Sequence, residues 1–170
     1  MQQVKDGNLR EMAELFERYH VKLYNFFLKL TGDRNISQDL TQNLFYRLIK
    51  YRHTFREGYS FKSWIYQMAR NIHIDYCKQY RKQAGNFKLV EEHDEHIPEP
   101  EEIFTEDDFG KLDKALLQLG DEQREIIILS RFQGLKYEEI SKINNMSVAA
   151  IKVQVHRAIK QLKSLYFKHA

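Results

Sequence analysis

The carboxy-terminal stretch of this chain carries cations and no carboxylates. After Glu139 there is no Asp or Glu, whereas Lys142, Lys152, Arg157, Lys160, Lys163 and Lys168 all follow. Cations of this kind suit phosphate. They sit on a pattern that predicts two helices and a tight turn over 137–162. Ile140 and Ile143 share one face of the first helix, and Asn144-Asn145-Met146 breaks the period. Ser147 can cap the second helix, which repeats apolar residues at Val148, Ile151, Val155, Ala158 and Leu162. A join this short calls for a residue at positive φ, which Asn145 tolerates, and small Ser141 lies where the crossing helices would touch.

Opposite the apolar stripe the second helix presents Ala149, Val153, His156, Arg157 and Lys160. Small residues near its start permit close approach to base edges, and the later cations suit the backbone. The layout is that of a helix-turn-helix whose second helix enters the major groove of DNA. An amphipathic hairpin with a solvated basic face is the plainer reading, and charge alone does not separate the two. The turn, the cap and the one-sided charge favour the first.

A second cluster of chemistry-bearing residues lies upstream. Tyr51, Arg52, His53, Phe55, Arg56 and Tyr59, with Gly58 marking a turn, precede a long helix expected over 61–82. Its core stripe is Phe61, Trp64, Ile65, Met68, Ala69, Ile72 and Tyr76, and its other side shows Tyr66, Arg70, His73, Cys77, Lys78 and Arg81. Asp75 is the single acid from Ser60 to Val90. Interleaved rings and cations are what unpaired nucleic acid needs, with rings stacking on bases and cations holding the backbone. Rings at helical spacing also build cores, and Phe61 and Trp64 read best that way.

These stretches need elements to position them. Asn8 with Glu11 offers a capping box for a helix whose stripe is Leu9, Met12, Phe16, Tyr19, Leu23, Phe27 and Leu30, ended by Gly32. Ser37 is expected to cap the next helix, which turns Leu40, Leu44 and Leu48 inward. Its opposite face, Asp39, Gln42, Asn43, Tyr46 and Lys50, reads by itself as a solvated surface. Ten of the chain's 24 acids fall in 91–108, a stretch without Lys or Arg that also contains both prolines, Pro98 and Pro100. The remainder therefore carries 27 cations against 14 carboxylates, a segregation hidden by the net charge of +3. The acidic stretch reads as a flexible linker. The expectation is an all-α chain with two small helical domains, 1–85 and 109–170, joined by residues 86–108.

Several classes are disfavoured. There is no signal peptide and no long apolar run, so a cytoplasmic location without membrane insertion is expected. The lone Cys77 permits neither an intrachain disulfide nor a cysteine zinc site, and His93 and His96 in the acidic stretch make a poor cage, so no metal or cofactor is expected. No P-loop, Gly-x-Ser-x-Gly or His-Glu-x-x-His is present, which argues for a binding protein over an enzyme.

Three motifs carry a family resemblance. DLTQNLFYRLI at 39–49 is similar to D-L-x-Q-x-x-F-x-x-x-[WI]. FKSWIYQMARNIHIDYCKQYRK at 61–82 is similar to F-x-x-W-L-x-x-I-A-x-N-x-x-x-D-x-x-R. YEEISKINNMSVAAIKVQVHRAIKQL at 137–162 is similar to Y-E-E-I-A-x-x-L-G-x-S-x-G-T-V-K-S-R-L-H-R-A-R-x-x-L. In this order and at this length the chain resembles a sigma-70 family RNA polymerase sigma factor of the extracytoplasmic-function (ECF) type. The resemblance implies a region 2 helical bundle and a region 4 helix-turn-helix. It also implies a dock for the largest polymerase subunit at Asp39, Gln42, Asn43 and Tyr46, in place of a merely solvated face.

It further implies capture of the promoter −10 element, opened and partly flipped, by Phe55, Tyr59, Arg70, Asn71, Lys78 and Arg81. Ala149, Ala150, Lys152, Val153, His156, Arg157 and Lys160 would then lie against the −35 element, with region 4 resting on the second-largest subunit. Core polymerase, promoter DNA and an anti-sigma factor are the implied partners. The sequence departs from the family at Ala149-Ala150 for Gly-Thr, Lys152-Val153-Gln154 for Lys-Ser-Arg, Ile159 for Arg, and Asn145 for the turn glycine. A duplex-binding regulator independent of polymerase is the alternative reading.

Overall fold

In the computed structural model, residues 9–56, 60–87 and 110–168 are described. The chain is α-helical throughout them: α1 Leu9–Thr31, α2 Arg34–Lys50, a 3-10 turn Arg52–Thr54, α3 Phe61–Phe87, α4 Lys111–Leu117, α5 Asp121–Ile127, α6 Tyr137–Asn144 and α7 Val148–Lys168. A π-helical stretch, Ile128–Phe132, continues α5. The expected capping pair Asn8 and Glu11, the loop residue Tyr59 and the acidic stretch 91–108 lie outside the described residues or have undescribed side chains.

Gly32 ends α1 at φ 72, its N–H donating to the Leu28 carbonyl at 2.8 Å. Asp33 follows at once and caps α2, its Oδ1 accepting from the Ile36 N–H at 2.9 Å. This corrects the expectation for Ser37. With a cap available directly after the glycine, the helix starts four residues earlier, and Ser37 becomes a buried helical residue bonded to the Asp33 carbonyl and the Thr31 hydroxyl.

α1, α2 and α3 form the N-terminal unit. α1 buries Leu23, Phe27 and Leu30 as its stripe requires, against Leu40, Leu44 and Leu48 of α2 and Ile65, Ala69 and Ile72 of α3. Phe16 is 43% exposed, stacked on His20 and touching Phe45, so the stripe loses cover toward its amino end.

α4 to α7 form the C-terminal unit, in which α7 packs on α4, α5 and α6 around Ile126, Ile128, Ile140, Ile151, Val155 and Ala158. The two units are themselves packed together, α1 against α4 and α5, and α3 against α6. That contact explains side chains no single-face stripe predicts. Phe26 is buried beside Phe27 and meets the Tyr66 ring edge-on at 5.4 Å. Tyr66 and His73, expected on the open side of α3, are buried. The Tyr66 hydroxyl donates to Gln133 Oε1 of the C-terminal unit.

Candidate nucleic-acid interface

The helix-turn-helix is built as its sequence requires. Asn145 adopts φ 54, ψ 44, the left-handed region that asparagine accepts at modest strain. The N–H groups of Asn145 and Met146 both donate to the Ser141 carbonyl, and the Ser141 hydroxyl returns a bond to the Met146 carbonyl. Ser147 Oγ accepts from the Ala150 N–H at 3.1 Å and so caps α7. Glu139 secures the start of α6 by accepting from the Lys136 N–H at 2.9 Å. Partial burial disfavours its charge, but bonds from Lys136 and the Ser63 hydroxyl outweigh this and hold the carboxyl below its ordinary range.

With Ile151, Val155 and Ala158 turned inward, α7 leaves Ala149, Lys152, Val153, His156, Arg157 and Lys160 exposed, and Ala150 half-buried. Val153 is 48% exposed, an apolar side chain amid cations.

The residues expected at unpaired DNA divide. Asn71 is exposed at the edge of a hollow of about 260 Å³ between the end of α2, the 3-10 turn and α3, whose walls include Arg47, Tyr51, Trp64 and Gln67. Gln67 and Arg47 were not singled out from sequence, although Gln67 stands one helical turn before Asn71 and so shares its face. Lys78 is exposed, and Arg81 lies 3.4 Å from Asp121.

Phe55 is a correction. It is 7% exposed and meets the Trp64 ring edge-on at 5.4 Å and Phe61 at 6.0 Å, so it anchors the loop to α3 and offers no free face for a base. Arg70 is half-buried, its Nε 2.7 Å from Glu125 Oε1. Burial raises the Glu125 carboxyl above its ordinary range, a pull only partly opposed by Arg70 and by the bond from Asn144.

On α2, Asp39, Gln42 and Tyr46 are exposed and Asn43 is half-buried, on the side away from Leu40, Leu44 and Leu48. Tyr46 is 63% exposed, with the Lys50 ammonium 5.9 Å from its ring centre. Among the described residues no cluster of His, Cys, Asp or Glu is placed to hold a metal, and no helix is long and apolar enough to cross a membrane.

A helical bundle with an exposed polar face, joined to a helix-turn-helix with a free basic recognition helix, defines a modular DNA-binding protein. Residues 15–83 match the family model for Sigma-70 region 2, and residues 109–162 that for Sigma-70, region 4. The chain is 30% identical over 161 residues to the ECF RNA polymerase sigma factor SigM of Bacillus subtilis, spanning 90% of this chain and 93% of SigM. It is 30% identical over 158 residues to SigX of the same organism, spanning 88% and 80%.

The fold is similar to that of the sigma factor RpoE in complex with the anti-sigma factor NepR from Bartonella quintana. The TM-score is 0.76 at 24% identity, covering 92% of this chain and 96% of that one. It is also similar to CnrH in complex with the cytosolic domain of CnrY, with a TM-score of 0.74 at 19% identity, covering 99% and 96%. The chain belongs to the ECF sigma factors of the sigma-70 family, and it acts in promoter-specific transcription initiation with core RNA polymerase.

Proposed function

We propose that residues 1–85 form the unit that docks on core polymerase and holds the −10 element, that 109–170 form the unit that reads the −35 element, and that 86–108 tether them. Asp39, Gln42, Asn43 and Tyr46 make the dock. Ala149, Ala150, Lys152, Val153, His156, Arg157 and Lys160 face the −35 duplex. Asn71 reads a base edge in the hollow beside Trp64, with Arg70, Lys78 and Arg81 on the strand and Tyr59 stacking nearby. Phe55 supports this site from beneath. The protein works in the cytoplasm as a binding factor without catalysis of its own. The likeness to RpoE bound to NepR supports an anti-sigma partner here too.

The observation that carries the −10 assignment is the hollow itself, where an amide side chain, a ring and a guanidinium border one concavity. Unstacking a base costs a few kcal/mol, which such a pocket must return. Run-off transcription with core polymerase, with permanganate footprinting of unpaired thymines, tests the assignment. Asn71→Ala is expected to impair opening of duplex promoter and to stay defective on a template carrying a pre-melted bubble. Tyr59→Ala is expected to recover on the bubble. Wild-type opening by both variants would put the −10 site elsewhere on the N-terminal unit.

A further inference from the structure

α3 supplies Arg70, Asn71, Lys78 and Arg81 to the −10 strand, yet it also carries one acid, Asp75. A carboxylate on a face that meets a polyanion repels it, so its place there calls for a reason. Asp75 stands one helical turn after Asn71, which stands one turn after Gln67, and all three side chains are exposed in a single row along α3. Arg47 of α2 reaches that row, its Nη1 donating to Asp75 Oδ2 at 3.1 Å. Both partners are partly open to solvent, so the pair contributes little to stability. What it does fix is the direction of a long, otherwise freely swinging side chain, and Arg47 is one wall of the hollow it shares with Trp64, Gln67 and Asn71.

A guanidinium has five N–H donors and no acceptor, and one bond to Asp75 leaves a planar edge for a ligand. Among unpaired bases, guanine, thymine and cytosine present carbonyl oxygens to such donors, whereas the exocyclic group of adenine is itself a donor. The amides of Gln67 and Asn71 both donate and accept, so they do not make this distinction. Arg47 directly follows Tyr46 of the polymerase dock, about 100° around the same helix. α2 therefore has one side for polymerase and another for the hollow.

We propose that Arg47 is a specificity-determining residue of the −10 site, selecting a base with a carbonyl oxygen over adenine, and that Asp75 is the positioning residue that holds its guanidinium at the hollow. The inference rests on the −10 assignment of that hollow. Positioning and simple charge make opposite predictions for Asp75. As a like charge facing the strand, its removal strengthens binding of all sequences alike. As the anchor of Arg47, its removal costs discrimination between bases.

The test uses holoenzyme reconstituted from core polymerase and the full-length chain. It is offered promoters with a pre-melted −10 bubble whose non-template strand is randomised, and the bound templates are sequenced. Wild type is expected to disfavour adenine about tenfold at one position of that strand, the discrimination of a good base contact. Arg47→Gln is expected to abolish the bias, Asp75→Ala to lose most of it, and Asp75→Glu to restore it. Melting curves and core affinity are measured for each variant. Asp75 is exposed, so Asp75→Ala decides the matter alone if Arg47→Gln fails to fold or to bind core. Absence of the bias in wild type, or its retention in Arg47→Gln, overturns the contact. Tighter binding of every sequence by Asp75→Ala with the bias intact overturns the positioning role. Asn71→Ala in the same selection reads the underlying assignment. Base preferences identical to wild type's in that variant remove the −10 assignment of the hollow. Altered preferences there, with the bias kept in Arg47→Gln, remove only the roles of Arg47 and Asp75.

Discussion

Arg124 Nη1 in α5 donates to the Leu30 carbonyl near the end of α1 at 2.8 Å. The same guanidinium reaches the Leu116, Leu117 and Leu119 carbonyls at 3.0, 2.6 and 2.8 Å. Carbonyls at helix ends lack intrahelical partners, and one planar cation here serves the ends of α1 and α4 together. Its side chain is 13% exposed, so these acceptors have little access to water. Arg124→Met is therefore expected to destabilise the protein by about 2–4 kcal/mol, the cost of leaving buried acceptors of a charged donor unpaired. Urea denaturation measures it. A loss below 1 kcal/mol would mean that water replaces the guanidinium.

Acid should loosen the same region through His73. Burial is the main cause that pushes its pKa down to about 4, with Arg124 and Arg70 acting in the same direction and Asp121 opposing them. Its Nε2 lies 3.6 Å from Cys77 Sγ. Between pH 4 and its ordinary value near 6.5 the folded protein binds fewer protons at this site than the unfolded chain. The stabilisation due to neutral His73 is thus complete above 6.5 and lost as pH falls toward 4, reaching roughly 2–3 kcal/mol at pH 4.5. Glu125 works in the opposite sense, since its raised carboxyl favours the folded state as pH falls through its folded pKa toward the ordinary carboxylate range. His73→Gln should flatten the acid limb of stability against pH. An unchanged limb would assign the acid sensitivity to other groups.

The expected dock on α2 separates binding from folding. Asp39→Ala, Gln42→Ala and Tyr46→Ala together should leave the melting curve close to wild type, because all three side chains are exposed. Affinity for core polymerase should fall by about 2–4 kcal/mol, as for central interface residues. Native core affinity in the triple variant would place the dock on another face.

What the sequence made legible was local. The turn at Asn145 and the cap at Ser147 follow from residues within a few positions of one another, and both stand where the pattern put them. The inward stripes of α1 and α3 were legible for the same reason. Their second buried faces were not. Phe26, Tyr66 and His73 are covered by elements distant in the sequence, and no local period encodes that contact. The start of α2 was misread because Asp33 and Ser37 are both competent caps, and adjacency to Gly32 decides between them. For the candidate site, α7 was readable from its own amphipathicity. The hollow was not, since Arg47 and Tyr51 reach it only through the packing of α2 on α3.

Val153 and Lys160 predict different kinds of loss. Val153 is an exposed apolar side chain on the recognition helix, suited to a thymine methyl. Val153→Ser should change which −35 bases are preferred, as read by selection from a randomised library. Lys160→Ala should weaken all sequences alike and reduce the salt slope by about one. An unaltered base preference in the Val153 variant would remove it from base readout.

The π-helical stretch Ile128–Phe132 carries a geometric consequence for that readout. The Gln133 N–H reaches back to the Ile128 carbonyl at 2.9 Å, and Leu135 to Leu129 at 3.0 Å, so this turn holds a surplus residue. One residue of α-helix corresponds to about 100° of rotation about the axis. The surplus thus acts as an angular offset on where the chain leaves α5 to enter the helix-turn-helix. The bearing of α7 relative to the rest of the protein is set by chain length at this turn as well as by composition. Deleting Ser130 alone would redirect the recognition helix while every side chain upon it stayed the same.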